Sequence, residues 1–565
     1  MIGIKVVLIK YLKCMKNKLK NLKLPRFKIP EISISFDVKK ITKINSFLEE
    51  HLFSIVIVVL SFISTYYFVH YLINGLGLNY NDARSHLDIG RRVVEGLKPG
   101  LAQLGSVWLP LDHILMIPLV WNDWAWHSGF AGAFWNMLSF VATGLVIYRI
   151  LEKLKVGPLG RIVGVVVFAA NLNVLYLQST AMTEPLLLAT MTAGCYYLIC
   201  WSENDSILDL VKSSFWIMLS TLVRYDGWFL LLFAATIVTI TTLIKKGYKV
   251  AEGLSVLFLT MGALGIVLWI GWNAAIFKDP LYFALGPFSA HAQQQQMLEA
   301  GNLPTKGNVL LSVQLYLYAV LYNCIAFTAI IGIIGSIVVW FDKKFKWETR
   351  LATVSLLSPL AFNIVALYLG FSVLFVQGIS GNTWFNIRYG IMMMPALAVF
   401  IGYLVERLKN LRWVIIGLYL FVTFFAFANG DAVTIDDARV GSSQKNVSEV
   451  SGFINNAAKD KPGFILISAA SHDAIIFSSY LPMSRFIHEG TGLYWENALD
   501  TPDRWARWII MRTYDNNDLT YKGVSKSPGF AKYNLVDSYP FADIYEIDAK
   551  YLGDLNYTPV LGKQK

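Results

Sequence analysis

The chain is divided by apolar runs about as long as a bilayer core is thick. The first, at 52–73, matches the roughly 20 residues a helix needs to cross. Further runs lie at 128–150, 161–180, 184–201, 211–224, 226–244, 252–276, 310–340, 351–376, 388–405 and 411–428. That makes eleven spans, of which 211–224 is short; the stretch 106–121 is apolar enough to add one. Backbone polar groups inside lipid must be satisfied within the segment, so these runs predict helices. Charged residues are only 15% of the chain and hydrophobic ones 55%, whereas soluble domains are about a quarter charged. Disorder, a coiled coil, a disulfide scaffold and an ordinary cytosolic enzyme are thereby excluded. The first run lacks a small-residue cleavage site and follows a long basic segment, so it reads as an anchor.

Residues 1–50 hold 12 Lys/Arg against 4 Asp/Glu, a net +8 of the whole chain's +11. The basic balance therefore belongs to the N-terminal segment and not to a nucleic-acid surface. With that segment in the cytoplasm, the basic loops 149–161, 245–249, 342–350 and 406–412 all fall on the same side. The loop 202–212, with Lys212 alone against three acids, is the exception. Loops 74–127, 182–185, 224–227, 277–309 and 377–387 then lie outside, together with residues 429–565. The expected organisation is a basic cytoplasmic segment (1–50), a helical membrane domain with a large first outer loop (51–428), and an extracytoplasmic domain (429–565). The tail has 14 Lys/Arg and 17 Asp/Glu with Pro/Gly turns. FILIS (464–468) and WIIMR (508–512) read as buried strands, and 472–480 and 502–507 as short helices, giving a small α/β domain. All four cysteines, Cys14, Cys195, Cys200 and Cys324, precede it, so it holds no disulfide. Asn446 and Asn556 begin glycosylation triplets that an external domain would expose. No internal repeat of the kind that builds inverted-repeat transporters is visible.

Ionisable residues near membrane spans are costly and mark functional sites. Here the middles of the spans are almost free of them. Glu184, Arg224, Asp226 and Arg388 fall at outer ends, and Asp82, Arg84, His86, Asp88, Arg91 and Arg92 fall in the first outer loop. That placement points to a site at the outer membrane–water boundary. The segment 83–97 has helical periodicity, with Asn81 or Asp82 as its cap and Pro99-Gly100 beyond its end. Asp82 and His86 share one helix face, as do Asp88 and Arg92. An Asp/His pair at this spacing can orient a general base or hold a divalent cation. Plainer readings stand beside these: Asp82 as an N-cap only, His86 as a satisfied interfacial histidine, Arg91 and Arg92 as snorkelling side chains. Trp108, Trp121, Trp124 and Trp126 suit an interfacial amphipathic segment.

Four short segments in fixed order, NDARSH (81–86), TEP (183–185), LVRYDGW (222–228) and NIRYGIMMMP (386–395), carry a family likeness. With the spans and the external tail, the chain resembles the GT-C superfamily of membrane glycosyltransferases, in the protein-mannosyltransferase and aminoarabinose-transferase branch. The resemblance covers about residues 50–428. It implies a polyprenyl-phosphate-linked sugar donor, a catalytic acid at Asp82 and a second acid at Glu184. The tail contains no WWDYG-like signature, which disfavours en bloc oligosaccharide transfer. Ala83 follows Asp82 where protein mannosyltransferases carry a paired Asp-Glu, so the acceptor class stays open.

The chemistry coheres with these residues. A departing polyprenyl phosphate is anionic, the sugar carbon becomes cationic, and the incoming hydroxyl must lose a proton. Asp82 suits the base, with His86 and Glu184 as further catalytic candidates. Arg388, then Arg224, suit the phosphate, although each could instead pair with an acid such as Asp226. Asp226, Arg91 and His291, the last on a Gln-rich outer loop, are candidate substrate contacts. No cofactor is certain from the sequence; a divalent cation, Mg or Mn, is the one candidate, at Asp82, His86 and Glu184, and whether it is required stays open. The expected partners are the lipid-linked donor, a lipid or protein acceptor and membrane lipids, with no nucleic acid. The expected function is inverting sugar transfer at the outer face of the cell membrane. The alternatives are a transporter or lipid flippase, or a non-catalytic cell-envelope assembly protein.

Overall fold

The computed structural model describes residues 38–287, 289–441 and 444–556. Residues 1–52 and 53–565 form separate compact units. In the first unit the described residues, 38–52, are helical; the basic stretch 1–37, with Cys14, lies outside the described residues. So do the side chain of Asn446 and the two residues that complete the triplet at Asn556.

The apolar runs fold as helices, in a polytopic α-helical arrangement. Among the described residues seven are long and apolar enough to cross a membrane: Glu50–Ile73, Phe130–Lys153, Glu184–Asn204, Asp226–Lys246, Trp347–Leu369, Ile387–Arg407 and Lys409–Arg439. Two bent pairs bring the number to nine: Tyr248–Gly262 with Leu264–Phe277, at 45°, and Val309–Cys324 with Ala326–Phe341, at 109°. The expected spans at 161–180 and 211–224 correspond to shorter helices, Pro158–Ala169 followed by Leu172–Leu177, and Ile207–Thr221. The expected extra stretch holds the ten-residue helix Leu111–Val120, too short to span.

The continuous span expected at 310–340 is instead broken, and the break builds part of the site. Ile325 takes a left-handed backbone, φ 65°. Neither Pro nor Gly causes it; neighbouring asparagines satisfy the freed backbone, as breaks at membrane depth require. Asn171 and Asn173 donate to the Asn323 carbonyl at 2.8 and 3.1 Å. Asn323 Nδ2 donates to the Ile387 carbonyl at 2.6 Å, which fixes the backbone beside Arg388. The 3₁₀ segment Ile387–Met393 then runs against the helix Val309–Cys324 so closely that a Cβ on Gly390 would stand 2.1 Å from the Ala319 carbonyl oxygen. Backbone atoms cannot yield as a flexible side chain can. Gly390→Ala is expected to cost about 1–3 kcal/mol and to displace Arg388, read as a lower thermal unfolding midpoint together with reduced activity.

Residues 464–547 form a five-stranded sheet of order β2-β1-β3-β5-β4, with β1 Phe464–Ile467, β2 Phe486–Ile487, β3 Ala506–Met511, β4 Tyr533–Ser538 and β5 Asp543–Ile547. β1 is parallel to β2 and β3, while β5 is antiparallel to β3 and β4. Both expected strands are present, as β1 and β3. The helix expected at 472–480 runs from Ala469 to Ser478, and the one at 502–507 is only Pro502–Trp505 because Ala506 already pairs with Phe464. Leu466, Ile487 and Ile509 fill the core on the sheet, and Leu97 of the 74–127 loop packs against it.

Candidate active site

Four separate chain segments meet on one guanidinium. Arg388 is buried. Its Nε donates to Glu184 Oε1 at 2.9 Å and its NH2 to Asp82 Oδ2 at 2.7 Å. Its NH1 lies 3.8 Å from Asp437 Oδ2. The rings of Tyr80 and Tyr389 lie 4.9 and 5.4 Å from its guanidinium carbon. Arg224 stands beside it, with NH1 3.2 Å from both Glu184 Oε1 and Thr183 Oγ1, and Nε 3.4 Å from Asp226 Oδ2. Asp82, Glu184, Arg224, Asp226 and Arg388, singled out from the sequence, therefore form one connected network.

Local sequence explains how each is presented. Glu184 opens the helix Glu184–Asn204 with Pro185 in its first turn, where proline fits and a carboxylate meets free N–H groups. Asp226 opens Asp226–Lys246 in the same way. Its turn needs Gly227, because a Cβ there would lie 2.4 Å from the Ser220 carbonyl oxygen. Asp82 begins the loop helix Asn81–Val94 and is the exposed member of the network, its side chain 42% accessible against 0% for Glu184.

The expected Asp82–His86 pairing is not made. The guanidinium takes the Asp82 carboxylate, and His86 Nδ1 instead meets His113 Nε2 at 2.8 Å. Burial, with Arg388 and Arg224 nearby, pushes the His86 imidazole down to about 3, so it is neutral and a poor proton acceptor at ordinary pH. Arg91 is not brought to the network. It donates to Glu95, Asp123 and the carbonyls of Val120 and Trp121, and stacks over Trp126; with its fork so committed it braces the loop. His291 lies on the helix Ala290–Glu299, and among the described residues no hydrogen bond or ion pair joins it to the network.

Sequence reasoning missed several members. Asp437, on the helix Val433–Gly441, accepts from Tyr80 Oη at 2.9 Å. That helix is tied down by Thr434, whose N–H and hydroxyl both donate to Asn173 Oδ1. Asp112 and His113 lie on Leu111–Val120, which Leu111 N–H anchors to the Leu222 carbonyl at 3.0 Å. Asp112 is fully buried, and among the described residues neither of its carboxylate oxygens has a hydrogen-bond partner; burial, then the Glu184 charge, push its carboxyl well up. An ionisable pair inside an otherwise apolar stretch was the available signal.

The arrangement does not fit a divalent cation at Asp82, His86 and Glu184. Both carboxylates already surround a guanidinium and His86 is spent on His113. Among the described residues no group of three or more His, Cys, Asp or Glu side chains is placed to hold a metal. What the network offers is two forked cations flanked by an accessible carboxylate. A small, water-sized cavity beside Glu184 is lined by Phe140, Phe168, Leu188 and Ile391 together with the polar Thr143 and Gln178.

No protein-family model and no curated protein matches the chain. Among solved structures, ArnT from Cupriavidus metallidurans bound to undecaprenyl phosphate superposes with a TM-score of 0.55 at 12% identity, over 88% of this chain and 98% of its own. The same protein in the apo state gives 0.54 at 12% identity, over 90% and 99%. The Archaeoglobus fulgidus oligosaccharyltransferase complex with Zn and sulfate gives 0.48 at 11% identity, over 86% and 72%. The likeness to ArnT is one of fold and runs over most of this chain and nearly all of that one.

Proposed function

We propose that the protein is a glycosyltransferase that moves a sugar from a polyprenyl-phosphate donor to a hydroxyl-bearing lipid or protein acceptor at the outer face of the membrane. The observation that carries this reading is Arg388, held between Glu184 and the accessible Asp82. An incoming phosphate competes with Asp82 for the outward N–H groups of Arg388, while Glu184 keeps hold of Nε. Guanidinium forks match phosphate geometry. Arg224 adds a second cation for the charge that develops on the leaving oxygen. Displaced from the arginine, Asp82 is free to take the acceptor proton.

The bonds balance as follows. The acceptor oxygen bonds to the anomeric carbon from the face opposite the phosphate as its proton passes to Asp82. The carbon–oxygen bond to phosphate breaks, its electron pair stays on the phosphate, and polyprenyl phosphate leaves with inversion at the sugar. No step passes through a metal. The positive-inside pattern supports an extracytoplasmic site. ArnT, whose fold this chain shares, was captured with undecaprenyl phosphate, the same class of carrier.

The test supplies membranes containing the protein with radiolabelled polyprenyl-phosphate sugars and follows label into lipid and protein fractions. Transfer that depends on Arg388 is expected. Uptake or flipping of the lipid with no new glycosidic bond would favour the transporter reading instead.

A further inference from the structure

The loop helix Asn81–Val94 carries Asp82 at its start and a second acid, Asp88, toward the sheet region. Asp88 is fully buried. Its Oδ1 accepts from Trp126 Nε1 at 3.0 Å, and its side chain is hydrogen-bonded to that of Asp473, from the helix Ala469–Ser478 that follows β1. Asp473 is also bonded by Ser85, and its Oδ2 lies 3.6 Å from Arg92 NH2. Asp88 Oδ2 and Asp473 Oδ1 are both buried, and no donor among the described residues reaches either. Two carboxylates cannot hydrogen-bond without a proton between them. Arg92 balances one negative charge, and one shared proton removes the other. The contact has neighbours: Gln103 Nε2 donates to the Gly490 carbonyl at 2.8 Å, and Leu97 packs into the sheet core.

We infer that Asp473 is a positioning residue, which through a proton shared with Asp88 pins the loop helix, and with it Asp82, to the C-terminal sheet region. The other titratable and charged groups around the pair are Arg84 and Arg92 on the loop helix, His127 on Asp123–His127, His472 and Tyr480 with Ala469–Ser478, and His488 after β2. Burial pushes His127 down to about 4 and His488 down to about 3, and His472 is held by Asp518 at 2.8 Å. The carboxyl pair is the titratable group that sits at the contact itself, between the loop helix and Ala469–Ser478. Burial, and for Asp88 also the charge of Asp473, hold both carboxyls above the usual carboxylate range. A group raised in the folded state stabilises while protonated, so the contact is intact on the acid side and is lost as pH rises through the raised value.

Hydrogen–deuterium exchange of the full-length protein in detergent, corrected for intrinsic exchange, reads the docking without any substrate. In the unsubstituted protein, protection over residues 81–94 is expected to fall about tenfold per pH unit once the shared proton is lost. Asp473→Asn carries its own donor, so its protection should stay flat with pH. Asp473→Ala should lose at least tenfold on the acid side, where the contact is intact; if it fails to fold, Asp88→Asn should reproduce the flat profile. An unchanged pH slope in Asp473→Asn, or acid-side protection in Asp473→Ala within twofold of the unsubstituted protein, would overturn the inference. Its effect on catalysis rests on the proposed function: Asp473→Asn should lack the alkaline fall in kcat, with KM unmoved. Exchange that behaves as expected in a protein that transfers no sugar would keep the clamp and remove the transferase reading.

Discussion

Arg388→Ala is expected to abolish sugar transfer and to cost about 3 kcal/mol of stability, the lower end of what breaking a buried ion pair costs. Glu184 is completely buried and would lose its Nε partner at 2.9 Å. The low end applies because Arg224, 3.2 Å from the same oxygen, still offsets its charge. Catalytic and structural losses separate in the double variant Arg388→Ala/Glu184→Gln. A neutral amide needs no counter-charge, so most of the stability should return while transfer should not. Arg388→Lys keeps the charge but not the fork that serves Asp82 and Glu184 together, and should transfer at least tenfold more slowly. Thermal unfolding in detergent and the label-transfer assay provide the two readings. Full transfer by Arg388→Ala would remove the phosphate-binding role.

Asp82→Asn should behave in the opposite way, lowering kcat by about 10²–10⁴-fold, the usual worth of a positioned proton acceptor. Its side chain is 42% exposed at the start of a helix and an amide keeps an acceptor for Arg388, so the change in stability should stay within about 1 kcal/mol. Donor affinity should hold or rise, because Arg388 no longer has a carboxylate to give up. A variant with unchanged kcat would show that another group takes the proton.

Much of this network was legible before any coordinates because charge is scarce in an apolar chain. Glu184, Arg224, Asp226 and Arg388 stand out at the ends of spans, and the orientation pattern puts those ends on one side with Asp82. Which of them touch was not legible: Asp82 and Arg388 lie 306 residues apart, and helix-face spacing suggested His86 as the partner of Asp82 when a guanidinium was available. Asp437 was hidden for a different reason. It lies past the last span expected from the sequence, 411–428, where acids are ordinary, and its ties to Arg388 and Tyr80 return it to the site. The break at Ile325 has no Pro or Gly to mark it, since asparagine side chains from elsewhere in the chain make it possible. In the tail, β1 and β3 showed as apolar runs. The β4–β5 hairpin, more polar and at the sheet edge, alternates too weakly to have been read with them.

The grip on a lipid phosphate is tested most directly by binding. Purified full-length protein should bind undecaprenyl phosphate at least tenfold more tightly than undecaprenol, and Arg388→Ala should erase that preference while leaving the affinity for undecaprenol unchanged. Equal affinity for the two lipids, or a preference that survives in Arg388→Ala, would contradict it.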